Sequence, residues 1–297
     1  MSTTERVDLY TRITNQIVRQ LEQGVAPWQK PWRVDGEDRA IVPPLRATGQ
    51  PYRGINVLLL WGEMVKRGYV APTWMTYRQA AAVGGQVRKG ERGTQVVYAD
   101  RIVKTETDAG GNAQERAIGF LKSYTVFNVA QIDGLPEELY GAPTVRGADV
   151  SVGADDAVES FFARTRISIQ HGGTSAFYSP SRDLIQLPPR ECFVSLESYY
   201  STLAHEAVHA TAHPSRLDRH LKHRFGSDGY AMEELVAELG AAFLCAELGV
   251  STQVHAEHAS YLDHWLKVLN SDTRAIFTAA AHAQRAVDFL AGRSGCD

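Results

Sequence analysis

The feature that most limits how this chain folds is the pentapeptide HEAVH at residues 205–209, within the stretch SLESYYSTLAHEAVHATAH. The spacing of apolar residues in that stretch predicts a long helix. On such a helix His205 and His209 lie one turn apart on the same face, with Glu206 beside them. Two imidazoles at this spacing can bind one metal ion, and the neighbouring carboxylate can act as a general base.

A catalytic zinc site needs a third protein ligand and an open fourth position. The periodic stretch YAMEELVAELGAAFLCAELG at residues 230–249 predicts a second helix, on which Glu234 and Glu238 lie one turn apart on a single face. A longer zinc motif, H-E-x-x-H-x-x-G-x-x-H, requires glycine and histidine where this chain has Ala212 and Ser215. We therefore do not expect His213 to bind the metal.

The combination of HEAVH with a later Glu-x-x-Ala-Glu resembles the gluzincin metallopeptidases. The resemblance implies that His205, His209 and Glu234 bind the metal and that Glu238 holds one ligand imidazole through its other ring nitrogen. It also implies peptide-bond hydrolysis with Glu206 as the base, and Zn2+ as the metal, with another divalent ion such as Mn2+ as the alternative. An ordinary solvated helix face is the competing interpretation of the two later glutamates.

Short strands broken by glycine and proline are predicted at residues 168–189, just before the HEAVH helix. We expect the last of them, DLIQLPP, to be an edge strand to which an extended peptide adds. Farther along, His255, His258 and His264 lie near Tyr261. We expect these histidines to be structural, and the alternative is that one of them donates a hydrogen bond to an oxyanion.

The two halves of the chain differ in charge and in side-chain chemistry. Residues 1–140 contain 18 Lys and Arg against 15 Asp and Glu, and residues 141–297 contain 13 against 19. All ten histidines lie in the second half, and four of the five tryptophans lie in the first. We expect an α+β protein with a domain at residues 1–135, a linker at 136–150 that is rich in Gly, Pro and charge, and a second domain at 151–297.

The three cysteines are scattered, and none forms a C-x-x-C pair. This usage suggests a reducing compartment and gives no sign of a disulfide framework. The charged start of the chain and its short apolar stretches indicate neither a secretion signal nor a membrane span. We therefore expect a soluble cytoplasmic protein without a membrane partner.

Aromatic and basic residues alternate along the first half of the chain. Rings can stack on unpaired bases while cations contact phosphates, a combination typical of sequence-independent binding to single-stranded DNA. The candidate contacts are Trp28, Lys30, Trp32, Arg53, Trp74, Tyr77, Arg78, Arg88, Lys89 and Arg92. The competing interpretation is that the tryptophans fill the core of a small domain and the basic residues only decorate its surface.

Several longer blocks occur in a characteristic order: GVAPWQKPW, YRGINVLLLW, PTWMTYRQAAAVGGQVRKGERGTQVVY and YTVFNVAQIDGLP, followed by TLAHEAVHATAHPSRLDR and YAMEELVAELGAAFLCAELG. Together they resemble the ArdC-type antirestriction proteins of conjugative plasmids. The resemblance implies an α+β domain that binds single-stranded DNA, followed by a zincin-like metallopeptidase domain. It also implies that the protein protects newly transferred plasmid DNA from restriction in the recipient cell.

Two mechanisms of protection remain after the charge is considered. Proteins that imitate DNA need a large negative charge, and the net charge of this chain is only -3 with no long acidic tract. In the first remaining mechanism, the protein cleaves an unidentified protein, such as a restriction-system or DNA-bound protein. In the second, it coats the entering strand and its metal site is structural. The presence of Glu206 favours the enzyme, since a structural site needs no base.

Overall fold

The structure is a computed structural model that describes residues 8–28, 32–34, 37–39, 42–107, 113–140, 154–219, 227–251 and 258–293. Lys30, His255 and the predicted linker from residue 141 to residue 150 lie outside the described residues. For Trp32 and His258 only the backbone is described. In the described part of the chain, no helix is both long and apolar enough to cross a membrane.

The first helix is α1 (Leu9–Glu22). It forms because apolar residues recur at helical spacing, and Ile13, Ile17 and Leu21 are buried on one face. The side chain of Asp8 caps the helix by accepting hydrogen bonds from backbone N–H groups of the first turn. The apolar spacing of this segment thus forms an amphipathic helix with one buried face.

A mixed sheet organises the rest of the first half. The other described elements there are β1 (Trp32–Val34), β2 (Glu37–Arg39), β3 (Leu45–Arg46), α2 (Ile55–Arg67), β4 (Thr73–Met75), α3 (Tyr77–Ala82), β5 (Gln86–Val87), β6 (Thr94–Thr107), β7 (Ala113–Asn128), β8 (Ile132–Asp133) and α4 (Glu137–Tyr140). The main sheet has the strand order β3-β4-β7-β6, and β6 and β7 form a long antiparallel hairpin. The amide of Asn56 in α2 bonds to the backbone N–H and C=O of Val97, each at 2.8 Å, and so covers the outer edge of β6.

The second half is mainly helical and contains one small sheet. Its described elements are α5 (Ala154–Thr165), β9 (Ser168–His171), β10 (Phe177–Ser179), β11 (Leu184–Leu187), α6 (Leu196–Ala210), α7 (Asp228–Leu248), α8 (His258–Ser271) and α9 (Ala275–Leu290). Helix α6 packs against α7 and against β10 and β11, while α7 also contacts α8 and α9. The predicted helices and the three predicted strands of this half are confirmed.

The order of the small sheet corrects one prediction. The strands lie in the order β10-β11-β9, with β11 paired antiparallel to β10 and parallel to β9. The segment DLIQLPP, which contains β11, is therefore a central strand with both edges occupied. The expectation that it offers an edge to a peptide was wrong, because alternation along one strand does not report which neighbours pair with it.

One hydrophobic core runs through both halves of the chain. The ring of Trp61 in α2 lies 5.8 Å from that of Phe243 in α7, and the ring of Trp28 lies 6.3 Å from that of Trp265 in α8. Polar contacts join the same surfaces, including the ion pair between Arg53 and Asp288. The fold is the expected mixture of helices and sheets, and its two parts share buried side chains.

Candidate metal centre

The histidines and glutamates of interest come from the two helices that cross at the centre of the second half. Helix α6 presents His205 and His209 on one face, and α7 presents Glu234 from its first half. The helices approach closely because α7 has Gly240 where it meets α6. A Cβ atom at Gly240 would lie only 2.8 Å from Cγ2 of Val208. The local sequence therefore sets the distance between the two helices.

Three potential ligand atoms converge between these helices. The Nε2 atoms of His205 and His209 are 3.1 Å apart, and each lies 3.6 Å from a carboxylate oxygen of Glu234. Two ligands bound to one tetrahedral zinc at about 2.0–2.1 Å stand about 3.3 Å apart. The three residues thus form a donor set of a size and chemistry that fits a divalent metal ion.

Each imidazole has a carboxylate beside its other nitrogen. Nδ1 of His205 lies 3.4 Å from Oε1 of Glu238, and Nδ1 of His209 lies 3.4 Å from Oε1 of Glu233. Carboxylates in this position orient a ligand imidazole and fix its tautomer. Glu238 occupies the place that the sequence suggested for it, whereas Glu233 was missed. The sequence did give a reason to look for Glu233: if one candidate metal-binding imidazole has a carboxylate partner, the second imidazole needs one as well.

Arg219 holds Glu233 in place and was also missed. Its Nη2 and Nε atoms donate to the two oxygens of Glu233 at 2.8 and 3.1 Å. The same guanidinium donates to the carbonyl of Val208 and to the hydroxyl of Thr211, each at 2.9 Å. The side chain is almost fully buried. Arg219 is the last residue of the block TLAHEAVHATAHPSRLDR, but it lies beyond the end of α6 in a segment without periodicity, and nothing in that block assigns it a partner.

The carboxylates change the protonation of the histidines. Burial would lower the pKa of His209, but hydrogen bonds to Glu233 and Glu234 outweigh burial and raise this pKa to about 9. The pKa of His205 is likewise raised well above its usual value, since Glu234 and Glu238 overcome the effect of burial. The contacts with the two imidazoles hold the pKa of Glu234 far below its usual range, against the effect of its own burial. A metal ion would therefore replace protons at this site.

A cleft of about 310 Å³ opens over the three ligand atoms. Glu206 lies in its wall together with His205 and His209, and Phe177 and Tyr178 of β10 also line it. Tyr230 and Tyr261 also line the cleft, and their hydroxyls are 3.1 Å apart. The base candidate and the ligand set thus face one accessible space.

The remaining histidines do not join this donor set among the described residues. Nδ1 of His213 lies 2.7 Å from the hydroxyl of Ser215, just beyond the end of α6. His264 lies in α8, whose cleft-lining residue is Tyr261. Among the described side chains of this helix, an aromatic hydroxyl and not His264 therefore lines the cleft.

The candidate DNA contacts separate into two groups. Trp28 and Trp74 are buried, at 1% and 0% exposure, so neither ring offers a face to a base. Trp28 packs on Trp265, and Trp74 packs on Tyr69. The expectation that these two tryptophans stack on DNA is corrected, because their apolar surface is used in the core.

The basic candidates also differ in their surroundings. Arg53 is paired with Asp288, and Arg88 is bound by Glu91 and Asp133. Both arginines are nevertheless exposed, and ion pairs at such positions are weak. Tyr77, Arg78, Lys89 and Arg92 are exposed as well. Their contact with DNA stays a prediction.

Two family models match the chain. The model of a zincin-like metallopeptidase matches residues 156–282, the part that contains the ligand set and the cleft. The model of the N-terminal domain of anti-restriction factor ArdC matches residues 7–127. The fold and the site thus define a protein with a zincin-like metallopeptidase domain preceded by an ArdC N-terminal domain. The bounds predicted from the sequence, with a linker at 136–150, stay a prediction.

Known proteins resemble the chain over nearly its whole length. The metal-free crystal structure of the antirestriction protein ArdC from plasmid R388 is 42% identical, with a TM-score of 0.81, and the match covers 96% of this chain and 97% of that one. The Mn(II)-bound ArdC structure, also 42% identical, has a TM-score of 0.77 and covers 96% of this chain and 98% of that one. The chain therefore belongs to the ArdC antirestriction family.

Curated relatives extend this family. An uncharacterized protein, y4eC of Sinorhizobium fredii, is 42% identical over 289 residues, which are 95% of this chain and 91% of that protein. The DNA primase TraC of Escherichia coli is 40% identical over 296 residues, which are 95% of this chain but 27% of TraC. This chain thus corresponds to about a quarter of the primase.

Proposed function

We propose that the protein protects incoming conjugative plasmid DNA from restriction by binding single-stranded DNA and hydrolysing a peptide bond in a protein near that DNA. The observation that supports the hydrolysis most directly is the convergence of His205, His209 and Glu234 in an open cleft that also contains Glu206. Membership of the ArdC family supports the antirestriction role and the DNA-binding role of the first half. The substrate is unidentified, and a restriction-system or DNA-bound protein fits this role.

The residues present fit a divalent cation held by His205, His209 and Glu234, with Zn2+ and Mn2+ as the candidates. Imidazole and carboxylate donors suit both ions. The Mn(II)-bound structure of the related ArdC protein supports a divalent metal in this family. When bound, such an ion supplies a Lewis acid that polarises a carbonyl group and acidifies water.

Glu206 performs the proton transfer in this proposal. Its carboxylate takes a proton from the attacking water and delivers that proton to the amine nitrogen that leaves when the peptide bond breaks. Tyr230 lines the cleft one helical turn before Glu234, and burial first, then its contact with Tyr261, raises the pKa of its hydroxyl far above the usual value. It therefore stays protonated and can donate a hydrogen bond to the oxyanion that forms during hydrolysis.

The outer edge of β10 is the proposed site for an extended peptide. β10 pairs with β11 on one side only within the described residues, and its Phe177 and Tyr178 line the cleft. A peptide added to this edge would gain main-chain hydrogen bonds and would lie beside Glu206. This assignment replaces the central strand β11 that the sequence had suggested.

Proteomic comparison of cells tests the proposal. Cells that express the wild type or the Glu206→Gln variant would receive a conjugative plasmid, and both their proteomes and the survival of the plasmid under restriction would be measured. We expect a protein that is cleaved only by the wild type, together with loss of protection by the variant. Full protection by Glu206→Gln would instead support a DNA-coating protein whose metal site is structural.

A further inference from the structure

The burial of Trp28 and Trp74 means that other rings must meet any bound DNA. In the described part of residues 1–140 the exposed aromatic side chains are Tyr77, Tyr98, Tyr124 and Tyr140. Tyr140 is engaged locally, since its hydroxyl donates to the carbonyl of Ile132 at 2.7 Å. Tyr77 is the sole member of this group on α3, whereas Tyr98 and Tyr124 lie on the paired strands β6 and β7.

The register of β6 and β7 places both of these tyrosines on the same face of the sheet. Tyr98 is directly opposite Lys122, and Val96 is directly opposite Tyr124. Opposite residues in an antiparallel pair point to the same face, as do residues two apart on one strand. Tyr98, Lys122 and Tyr124 therefore share one face, with the two tyrosines in diagonal positions about 7–8 Å apart.

The same face changes from buried to open along the hairpin. Val96 and Val126 on this face are completely buried, whereas Tyr124 is 39% and Tyr98 is 52% exposed. Both tyrosine rings therefore keep part of their surface accessible to solvent.

A second cation is connected to Tyr124 through the ring of Tyr52. The buried Tyr52 is within hydrogen-bonding reach of Tyr124, and the guanidinium of Arg46 lies 5.4 Å from the centre of the Tyr52 ring. Arg46 and Lys122 are exposed. Lys122 is thus directly opposite one exposed ring, and Arg46 is one ring removed from the other. We call Arg46, Tyr98, Lys122 and Tyr124 the hairpin face.

We propose that the hairpin face binds single-stranded DNA, with bases stacked on Tyr98 and Tyr124 and phosphates near Lys122 and Arg46. This inference rests on the DNA-binding role in the proposed function and assigns that role to residues outside the aromatic-basic set suggested by the sequence. Rings beside cations suit a single strand, whose unpaired bases expose their faces, better than a duplex, whose bases are already stacked. An acidic peptide would use the cations but would gain little from the rings.

Binding of a labelled oligothymidylate to the full-length chain tests the rings. Fluorescence anisotropy would compare the wild type with Tyr98→Ala and Tyr124→Ala, and Phe289→Ala is the matched control for an exposed ring outside every candidate site. Loss of one stacked base should weaken binding about 5- to 150-fold. Tyr124→Phe should bind like the wild type, because it keeps the ring and removes only the hydroxyl.

Salt dependence tests the cations. Each phosphate contact with a single strand contributes about -0.7 to the slope of log affinity against log salt concentration. Lys122→Gln and Arg46→Gln should each make the slope shallower by about that amount, whereas Lys66→Gln, at an exposed position of α2 outside the candidate set, should not. Tyr98→Ala should weaken binding without changing the slope. A polyglutamate competitor that displaces the DNA from the wild type and remains bound to Tyr98→Ala would overturn the assignment in favour of an acidic peptide.

A crosslinking measurement on the wild-type chain tests the same surface without any variant, so misfolding of a variant cannot affect its result. Oligonucleotides that contain 5-iododeoxyuridine would be irradiated with the wild-type chain, and we expect the crosslinked peptides to contain Tyr98 or Tyr124. If the wild type does not bind the oligonucleotide at all, the DNA-binding role itself is wrong. If the wild type binds but crosslinks at Tyr77, and neither hairpin variant is weakened, the hairpin face is wrong and the proposed function stands.

Discussion

Arg219 and Glu233 form a two-bond ion pair directly behind His209, with N–O distances of 2.8 and 3.1 Å. Glu233 in turn lies 3.4 Å from Nδ1 of His209, whose Nε2 faces Glu234. The orientation of one ligand imidazole thus depends on an arginine that does not touch the metal position. Carboxylates of this kind are as much a part of a metal site as the ligands themselves.

Replacing Glu233 should therefore weaken metal binding without removing a ligand. We expect Glu233→Gln to lower metal affinity about 10- to 100-fold, the usual effect of losing such a partner. Competition with a chelator measures this affinity. Asp228→Asn, at an exposed position of the same helix, is the control and should bind metal like the wild type. Unchanged affinity in Glu233→Gln would show that His209 needs no partner.

The two glutamates one turn apart should differ in their effect on metal content. Glu234→Ala removes a ligand and should abolish metal retention, whereas Glu238→Ala removes only the partner of His205 and should lower affinity about 10- to 100-fold. Metal analysis after dialysis ranks the two variants. The reverse ranking would exchange their roles.

Glu206→Gln should keep its metal and lose its activity. The substitution leaves the ligand set intact and removes the base, a change that typically slows proton transfer about 10²- to 10⁴-fold. Turnover of a peptide library and metal content would be measured on the same preparation. Glu197→Gln, exposed at the start of the same helix, serves as the control. Equal hydrolysis by Glu206→Gln and the wild type would contradict the proposed enzyme.

Metal binding should release protons and strengthen as pH rises. Because the pKa of His209 in the folded chain is about 9, against 6.5 for an ordinary histidine, this imidazole is protonated at neutral pH and must lose its proton to bind metal. Calorimetry in buffers of different ionisation enthalpy should detect about one to two protons released per metal at pH 7. Metal affinity that does not vary between pH 6.5 and pH 9 would exclude this coupling.

The raised pKa of His209 has the opposite consequence for the metal-free protein, whose stability should fall as pH rises. A raised pKa means that the protonated imidazole stabilises the fold fully below pH 6.5, and that this contribution is lost as pH rises toward about 9. Metal should therefore add more to the free energy of unfolding as pH rises from 6.5 to about 9, the range in which the metal-free protein loses stability. Thermal unfolding with and without metal at several pH values measures both trends.

Trp74→Ala should affect folding and not DNA contact. Truncating a fully buried tryptophan typically costs about 3–5 kcal/mol, because it removes apolar burial and leaves a cavity. Urea unfolding measures the loss, and DNA binding should be normal under conditions in which the variant is still folded. A stable variant that no longer binds DNA would restore the stacking role suggested by the sequence.

The residues on α6 could be predicted because a helix fixes which side chains share a face. His205, Glu206 and His209 follow from spacing alone, and the resemblance to gluzincins added Glu234 and Glu238. Glu233 could not be assigned in the same way, since its partner is set by the angle and distance at which α7 crosses α6. That distance depends on the contact between Gly240 and Val208, which no local pattern reveals.

The tryptophans show why the DNA-binding surface was harder to predict. Composition does not tell whether an aromatic ring stacks on a base or lies in the core. It also does not tell whether a basic side chain is paired with a carboxylate. Trp28 is buried because Trp265, far away in sequence, packs on it, and Arg53 is paired because α9 places Asp288 beside it. The order of the strands β10, β11 and β9 likewise depends on pairing between segments. Local alternation of side chains does not specify that pairing.

The continuous core has a consequence for how genes of this family can be rearranged. Because Trp61 packs on Phe243, either half alone would expose apolar surface that its partner normally covers. Recombination that moved one half into a new gene would therefore yield a poorly folding product, whereas transfer of both halves would yield a working unit. The match to TraC fits such transfer, since 95% of this chain aligns within a primase almost four times longer. We expect the two segments to be inherited together wherever they occur in larger plasmid proteins.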